Sequence, residues 1–148
     1  MNWIKFFTSF FEDKKEPINR ILDAGGCREC WLQGEIYLHA EQEVLATNTS
    51  PQKFDLSSDK YPMVAEIKIC GGDYQPKMKG LIEADVRKLE SDPQNREKYM
   101  ILVVDTRGAD TPLREWLMTC KFGDDPPSQI QSTNFVARIW KVGQHTRA

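Results

Sequence analysis

Lys53-Phe54-Asp55-Leu56, followed by Met63-Val64-Ala65-Glu66-Ile67-Lys68-Ile69, decides how this chain is read. The two stretches predict a strand, a turn built on Ser58-Asp59-Lys60, and a second, more apolar strand. Side chains at i and i+2 of a strand share a face. Glu66 and Lys68 therefore project together, while Met63, Ala65, Ile67 and Ile69 point the opposite way, toward a core. An acid and a base on the face of an otherwise apolar strand are costly to bury unless they have partners. Asp55 on the neighbouring strand is placed to converge with them. Asp59 is nearer to Glu66 in sequence, but it falls in the turn, where it faces solvent.

Outward from this hairpin the pattern alternates helices and strands. Trp3, Phe6, Phe7, Phe10 and Phe11 recur at helical spacing ahead of Glu12-Asp13-Lys14-Lys15-Glu16, which predicts a short amphipathic helix. Its aromatic face packs on the domain itself or on a second copy of the chain in a homodimer; the alternative is a helix that docks a protein partner or lies on a membrane surface, for which the stretch carries few basic residues. Pro17 suits the first turn of a second helix, which Gly25-Gly26 would end. A third helix is expected over residues 29–42, with Glu35 near its middle. Gly34 inside it costs about 1 kcal/mol in helix propensity and suggests close packing there.

Strands are expected at 44–47, 53–57 and 61–70. A helix follows over 79–90, where Ile82, Val86 and Leu89 form its stripe. Tyr99-Met100-Ile101-Leu102-Val103-Val104 reads as a strand buried on both faces. Pro112 opens a helix whose buried stripe is Leu113, Trp116, Leu117 and Cys120, and Gly123 stops it. A last strand spans 134–142. The fold class is mixed α/β, with one central sheet of about five strands flanked by helices. Residues 1–26 are expected to be an N-terminal helical extension and residues 27–148 the α/β domain.

At 148 residues the chain is long enough for one domain with a substantial core. Its net charge of −2 excludes a globally basic nucleic-acid binder, so any contact with nucleic acid falls to a local patch. No apolar run is long enough to span a bilayer. The opening residues lack the apolar core and small-residue cleavage site of a secretory signal. Four cysteines do not make a disulfide scaffold at this length, and a reducing, cytoplasmic setting is expected. Cys27-Arg28-Glu29-Cys30 has CxxC spacing but no preceding strand of a redox βαβ unit. Cys70 and Cys120 are separate singles that do not complete a zinc set. His39 and His145 are isolated.

The chemistry concentrates in the hairpin. Phosphodiester cleavage needs a nucleophilic water, a metal that binds it and the phosphate, and a group that stabilises the developing charge. Hard cations such as Mg²⁺ or Mn²⁺ take oxygen ligands and keep several waters. Asp55 and Glu66 offer carboxylates, and the main-chain carbonyl of Ile67 offers a third oxygen. Lys68 stands beside them to orient water or stabilise charge. A Glu-x-Lys triplet alone is ordinarily a solvated ion pair. The apolar remainder of the strand, the preceding Asp55, and the helix and buried strand that follow raise the functional reading.

On these residues the chain resembles the PD-(D/E)xK nuclease superfamily, the restriction-endonuclease-like fold with an αβββαβ core. Asp55, Glu66 and Lys68 stand at the family's acid, acid and lysine positions, and the resemblance covers roughly residues 27–142. Phe54 replaces the proline of the motif. The family's helix acid corresponds to Glu35, and the helix and strand after the motif to residues 80–89 and 99–104. The resemblance implies a Mg²⁺-dependent nuclease acting on DNA, with Asp55, Glu66 and the Ile67 carbonyl on the metal. Lys68 would be catalytic, assisted by Glu35. It does not bring an iron–sulfur cluster, because the cysteines here do not follow that layout. Gln75, Lys77 and Lys79, in the stretch leaving the second strand, suit phosphate contacts. Arg87 and Lys88 either join them or line the solvent face of their helix. The alternative is a non-catalytic, nuclease-fold module that acts through a protein partner.

Overall fold

The computed structural model describes residues 1–24, 28–48, 52–71, 77–107 and 111–143. Among these the elements run α1 (Trp3–Asp13), α2 (Lys15–Ile21), α3 (Arg28–His39), β1 (Leu56–Ser58), β2 (Met63–Cys70), α4 (Met78–Glu90), β3 (Glu97–Asp105), α5 (Thr111–Thr119), β4 (Ser128–Gln131) and β5 (Phe135–Lys141). The strands form one sheet in the order β1-β2-β3-β5-β4. β1 pairs antiparallel with β2, from Leu56↔Ala65 to Ser58↔Met63. β2 and β3 are parallel over their shared length, from Met63↔Glu97 to Cys70↔Val104. A parallel pair needs a crossover, and α4 supplies it. β5 runs antiparallel to both β3 and β4. The mixed α/β architecture and the five-stranded sheet are as expected.

The strand alternation sorts the core into two layers. Met63, Ala65, Ile67 and Ile69 of β2 pack with the aromatic face of α1 and with Leu32 and Ile36 of α3. Val64 and Cys70, on the opposite face, pack with Ile82, Val86 and Leu89 of α4 and with Leu113 and Leu117 of α5. β2 and β3 are thus covered on both sides, which explains their continuous apolar sequences. Gly71 sits where β2 leaves the sheet at φ +138°, and a Cβ there would lie 2.5 Å from Asp105 Cβ at the end of β3.

The N-terminal segment takes the first of its expected destinations, the domain itself. Trp3, Phe7, Phe10 and Phe11 are at most 1 % exposed and belong to the same core as the sheet. Trp3 Nε1 also donates to the Tyr61 carbonyl at 3.1 Å. α1 is therefore a covering layer of the domain, with Trp3, Phe7, Phe10 and Phe11 occupied by the chain's own sheet. Asn2 starts the helix, its Oδ1 accepting from Lys5 N–H at 3.0 Å.

Three local expectations are corrected. Residues 44–47 do not form a strand: Ala46 makes a single bridge to Ser57, with bonds of 2.8 and 2.9 Å. Glu43 and Asn48 lie at φ 69° and 51°, so extended backbone cannot continue on either side. For the same reason Lys53, at φ 55°, delays β1 until Leu56. The fifth strand is instead β4, a polar edge segment in which Ile130 alone is buried. Finally, Gly34 has nothing within 4 Å of where a Cβ would stand, so no close approach requires it. No helix among the described residues is long and apolar enough to cross a membrane.

Phe7→Ala should remove about 3–5 kcal/mol from the unfolding free energy read by urea denaturation, because its site is closed on all sides. Gly34→Ala should move the urea midpoint the other way, with a gain of about 1 kcal/mol.

Candidate functional site

β1 ends its pairing with β2 at Ala65, and β2 continues for five more residues with no strand on that edge. Main-chain N–H groups on a buried edge must find acceptors. Two carboxylates supply them. Asp55 Oδ2 accepts from Ile67 N–H at 2.8 Å, and Glu29 Oε1 accepts from Ile69 N–H at 3.2 Å. Asp55 lies one residue before β1 and not within it. Its own carbonyl accepts from Gln33 Nε2 of α3 at 2.8 Å. Phe54 packs in one core layer and Leu56 in the other, so the chain turns over at Asp55.

Glu66 is only 3 % exposed on the face of β2 that meets α4. Burial pushes its carboxyl from the ordinary 4.5 up to about 8, and the hydrogen bond and negative charge of Asp55 push the same way, against the lowering effect of Lys88. Lys88 of α4 forms an ion pair with Glu66 Oε1, but that oxygen receives no well-directed hydrogen bond. The same ammonium donates to the Lys53 carbonyl at 3.2 Å and lies 5.1 Å from the Phe54 ring centroid.

Lys68 shares the face of Glu66, as its spacing requires. Its ammonium is 3.2 Å from Asp85 Oδ2 of α4. Burial lowers the Lys68 pKa, but Asp85, then Glu29 and Asp55, outweigh burial and hold it above its usual range. Asp85 is shifted upward too, because there burial outweighs the pull of Lys68. The contact favours the charged form of both members, and burial opposes it at both. A pair that offsets its own desolvation in this way orients its members more than it stabilises the fold.

The structure brings together Asp55, Glu66, Ile67 and Lys68 but not Glu35. Glu35 pairs with Lys14 at 3.7 Å, beside the junction of α1 and α2. It lies six residues beyond Glu29, about 120° round the helix from it. Glu29 shares the inward stripe with Leu32, Gln33 and Ile36, and it takes the position expected of Glu35. Its signal was a charge in the register of the buried stripe. Asp85 carries the same signal, set among Ile82, Val86 and Leu89. Of the expected phosphate contacts, Lys77 and Lys79 are exposed at the start of α4, and Lys79 leans over the Trp116 ring at 5.4 Å. Gln75 lies outside the described residues, as does Cys27. Cys70 and Cys120 are thiols outside any disulfide, and burial pushes Cys70 up to about 12, which leaves it inert.

No family model, curated protein or solved structure matches this chain. What the site can do rests on its own geometry.

The residues suit a hard cation of modest ligand demand. Glu66 Oε1 is a buried acceptor without a directed donor, and Asp55 lies beside the Glu66 carboxyl. Ile67 turns both its N–H and its C=O toward the edge that β1 leaves uncovered. Among the described residues no three His, Cys, Asp or Glu side chains gather into a metal-holding group. Two carboxylates and a carbonyl, with water completing the shell, match Mg²⁺ rather than zinc.

A carboxyl whose pKa rises from 4.5 to about 8 on folding binds its proton more tightly in the folded chain. Its contribution to stability is complete below pH 4.5 and is lost as pH rises through about 8. Without metal, urea midpoints should therefore fall across this window in the wild type. In Glu66→Gln the fall should be smaller, and a variant with the same slope would contradict the raised pKa.

Proposed function

We propose that this chain is a metal-dependent nuclease of the PD-(D/E)xK type that hydrolyses phosphodiester bonds of DNA. The observation that carries the reading is the buried Glu66 carboxyl beside the half-buried Asp55, with Lys68 on the face of Glu66, at the uncovered edge of a central strand. Burying one carboxylate next to another costs stability. A divalent cation offsets that cost and gives the pair a use.

In this reading Asp55, Glu66 and the Ile67 carbonyl would hold Mg²⁺ or Mn²⁺, which when bound would lower the pKa of a water and polarise the phosphate. Lys68 stays protonated, so its role is to stabilise charge on the phosphate oxygens rather than to remove a proton from water. Glu29, rather than Glu35, is the helix acid beside this centre. Lys88 neutralises Glu66 in the metal-free chain. Lys77 and Lys79 provide local positive charge at the start of α4, the kind of patch a chain of net charge −2 needs to approach a polyanion. A reducing, cytoplasmic setting belongs to the same reading.

Calorimetric titration with Mn²⁺ and plasmid nicking on the same samples test the proposal. Wild-type protein should bind the ion and nick DNA. Asp55→Ala/Glu66→Ala should lose both. Lys68→Ala should bind the ion but nick at least 10²-fold more slowly, on the order seen when one charge-stabilising group is removed. Metal binding without nicking in the wild type, or nicking that survives in the double variant, would overturn the assignment. A protein that neither binds metal nor cuts would be a non-catalytic module.

A further inference from the structure

We infer that Asp85 is a positioning residue: from α4 it holds the Lys68 ammonium beside the Asp55–Glu66 pair and keeps it from pairing with Glu66 directly. The inference rests on the nuclease reading of this site and adds to it a fourth side chain with a defined task.

Lys68 has a flexible four-carbon stem ending in a compact charge. It shares a strand face with Glu66, about 7 Å away along the strand. Unanchored, its ammonium can reach the Glu66 carboxylate. A lysine spent in that way would compete with a metal for the same oxygens and leave the phosphate without its cation. The structure separates the charges instead. Asp85 and Lys88, three residues apart on α4, face β2 together. Lys68 pairs with Asp85 at 3.2 Å and Glu66 pairs with Lys88, so two cross-element pairs run side by side.

The other carboxylates near Lys68 do not replace Asp85. Asp55 and Glu29 have oxygens committed to the Ile67 and Ile69 amides. Asp85 is also fixed in place. Ile82 and Leu89 are fully buried and Val86 nearly so, which holds this stretch of α4 against the sheet. Position 85 falls in the register of that apolar stripe. An ordinary occupant would be apolar, and an aspartate there accepts a desolvation penalty in return for contact with Lys68.

The test uses the full chain with Asp85→Asn and Asp85→Glu. In metal-free protein, a ¹H–¹⁵N spectrum tuned to lysine ammonium groups should show a Lys68 signal protected from exchange. It should vanish in Asp85→Asn and return in Asp85→Glu. In Mg²⁺-dependent nicking, Asp85→Asn should lower kcat on the order of 10- to 100-fold, the scale of a misplaced group. KM for DNA and Mn²⁺ affinity should stay within about twofold, and Asp85→Glu should recover part of kcat. In a Lys68→Ala background, Asp85→Asn should lower kcat no further, because the two act as one unit. If Asp85→Asn fails to fold by circular dichroism, Asp85→Ser carries the same comparison. An unchanged Lys68 signal overturns the inference, and so does a full kcat penalty persisting without Lys68. Wild-type protein that does not nick overturns the nuclease reading instead, and the ammonium spectrum tells the two failures apart.

Discussion

The uncovered edge of β2 beyond Ala65 is the constraint on which the rest of the site depends. A buried strand must satisfy its amides. Where β1 stops, carboxylates from α3 and from the residue before β1 do so in place of main-chain carbonyls. That substitution brings negative charge to a strand that already carries Glu66. The excess is answered by Lys68 on the strand and Lys88 on the helix behind it. A short neighbouring strand thus converts a hydrogen-bonding requirement into a concentrated, partly protonated acidic centre.

The two core layers make this arrangement tolerable. α1 fills one side of the sheet with aromatic rings, among them Phe7 set 5.6 Å from Tyr99. α4 and α5 close the other. β2 is held from both faces, so it does not shift to relieve the charges on it. The penalty for burying Glu66 is carried by the rest of the fold. Lys88 offsets part of it: its ammonium faces the Phe54 ring, pairs with Glu66 and donates to the Lys53 carbonyl.

Much of the fold was legible in local pattern. The apolar runs of β2 and β3, the stripe of α4 and the aromatic repeat of α1 each named their element, because burial imposes a period on the chain. The misreadings share one physical cause. Val44-Leu45-Ala46-Thr47 has strand composition, but left-handed backbone at Glu43 and Asn48 isolates it, and composition does not report backbone sign at such residues. Ser128-Gln129-Ile130-Gln131 has little strand composition, yet β5 offers it an edge. Glu35 corresponds to the helix acid only by resemblance, whereas the face that α3 presents to β2 depends on where the helix starts and how it packs, and it is Glu29 that reaches the strand.

The sequence by itself determined which side chains share a face: Glu66 with Lys68 on the strand, Asp85 with Lys88 and Glu29 with Gln33 on the helices. Those relations follow from strand and helix geometry and need no partner. The tertiary structure decided which faces meet. It set Asp85 against Lys68, Lys88 against Glu66 and Glu29 against the Ile69 amide, turned Glu35 away to Lys14, and buried α1 against its own sheet. Contacts between elements depend on the registers in which those elements dock. Docking minimises exposed apolar surface and unsatisfied polar groups over the whole chain at once, and no single segment encodes that balance.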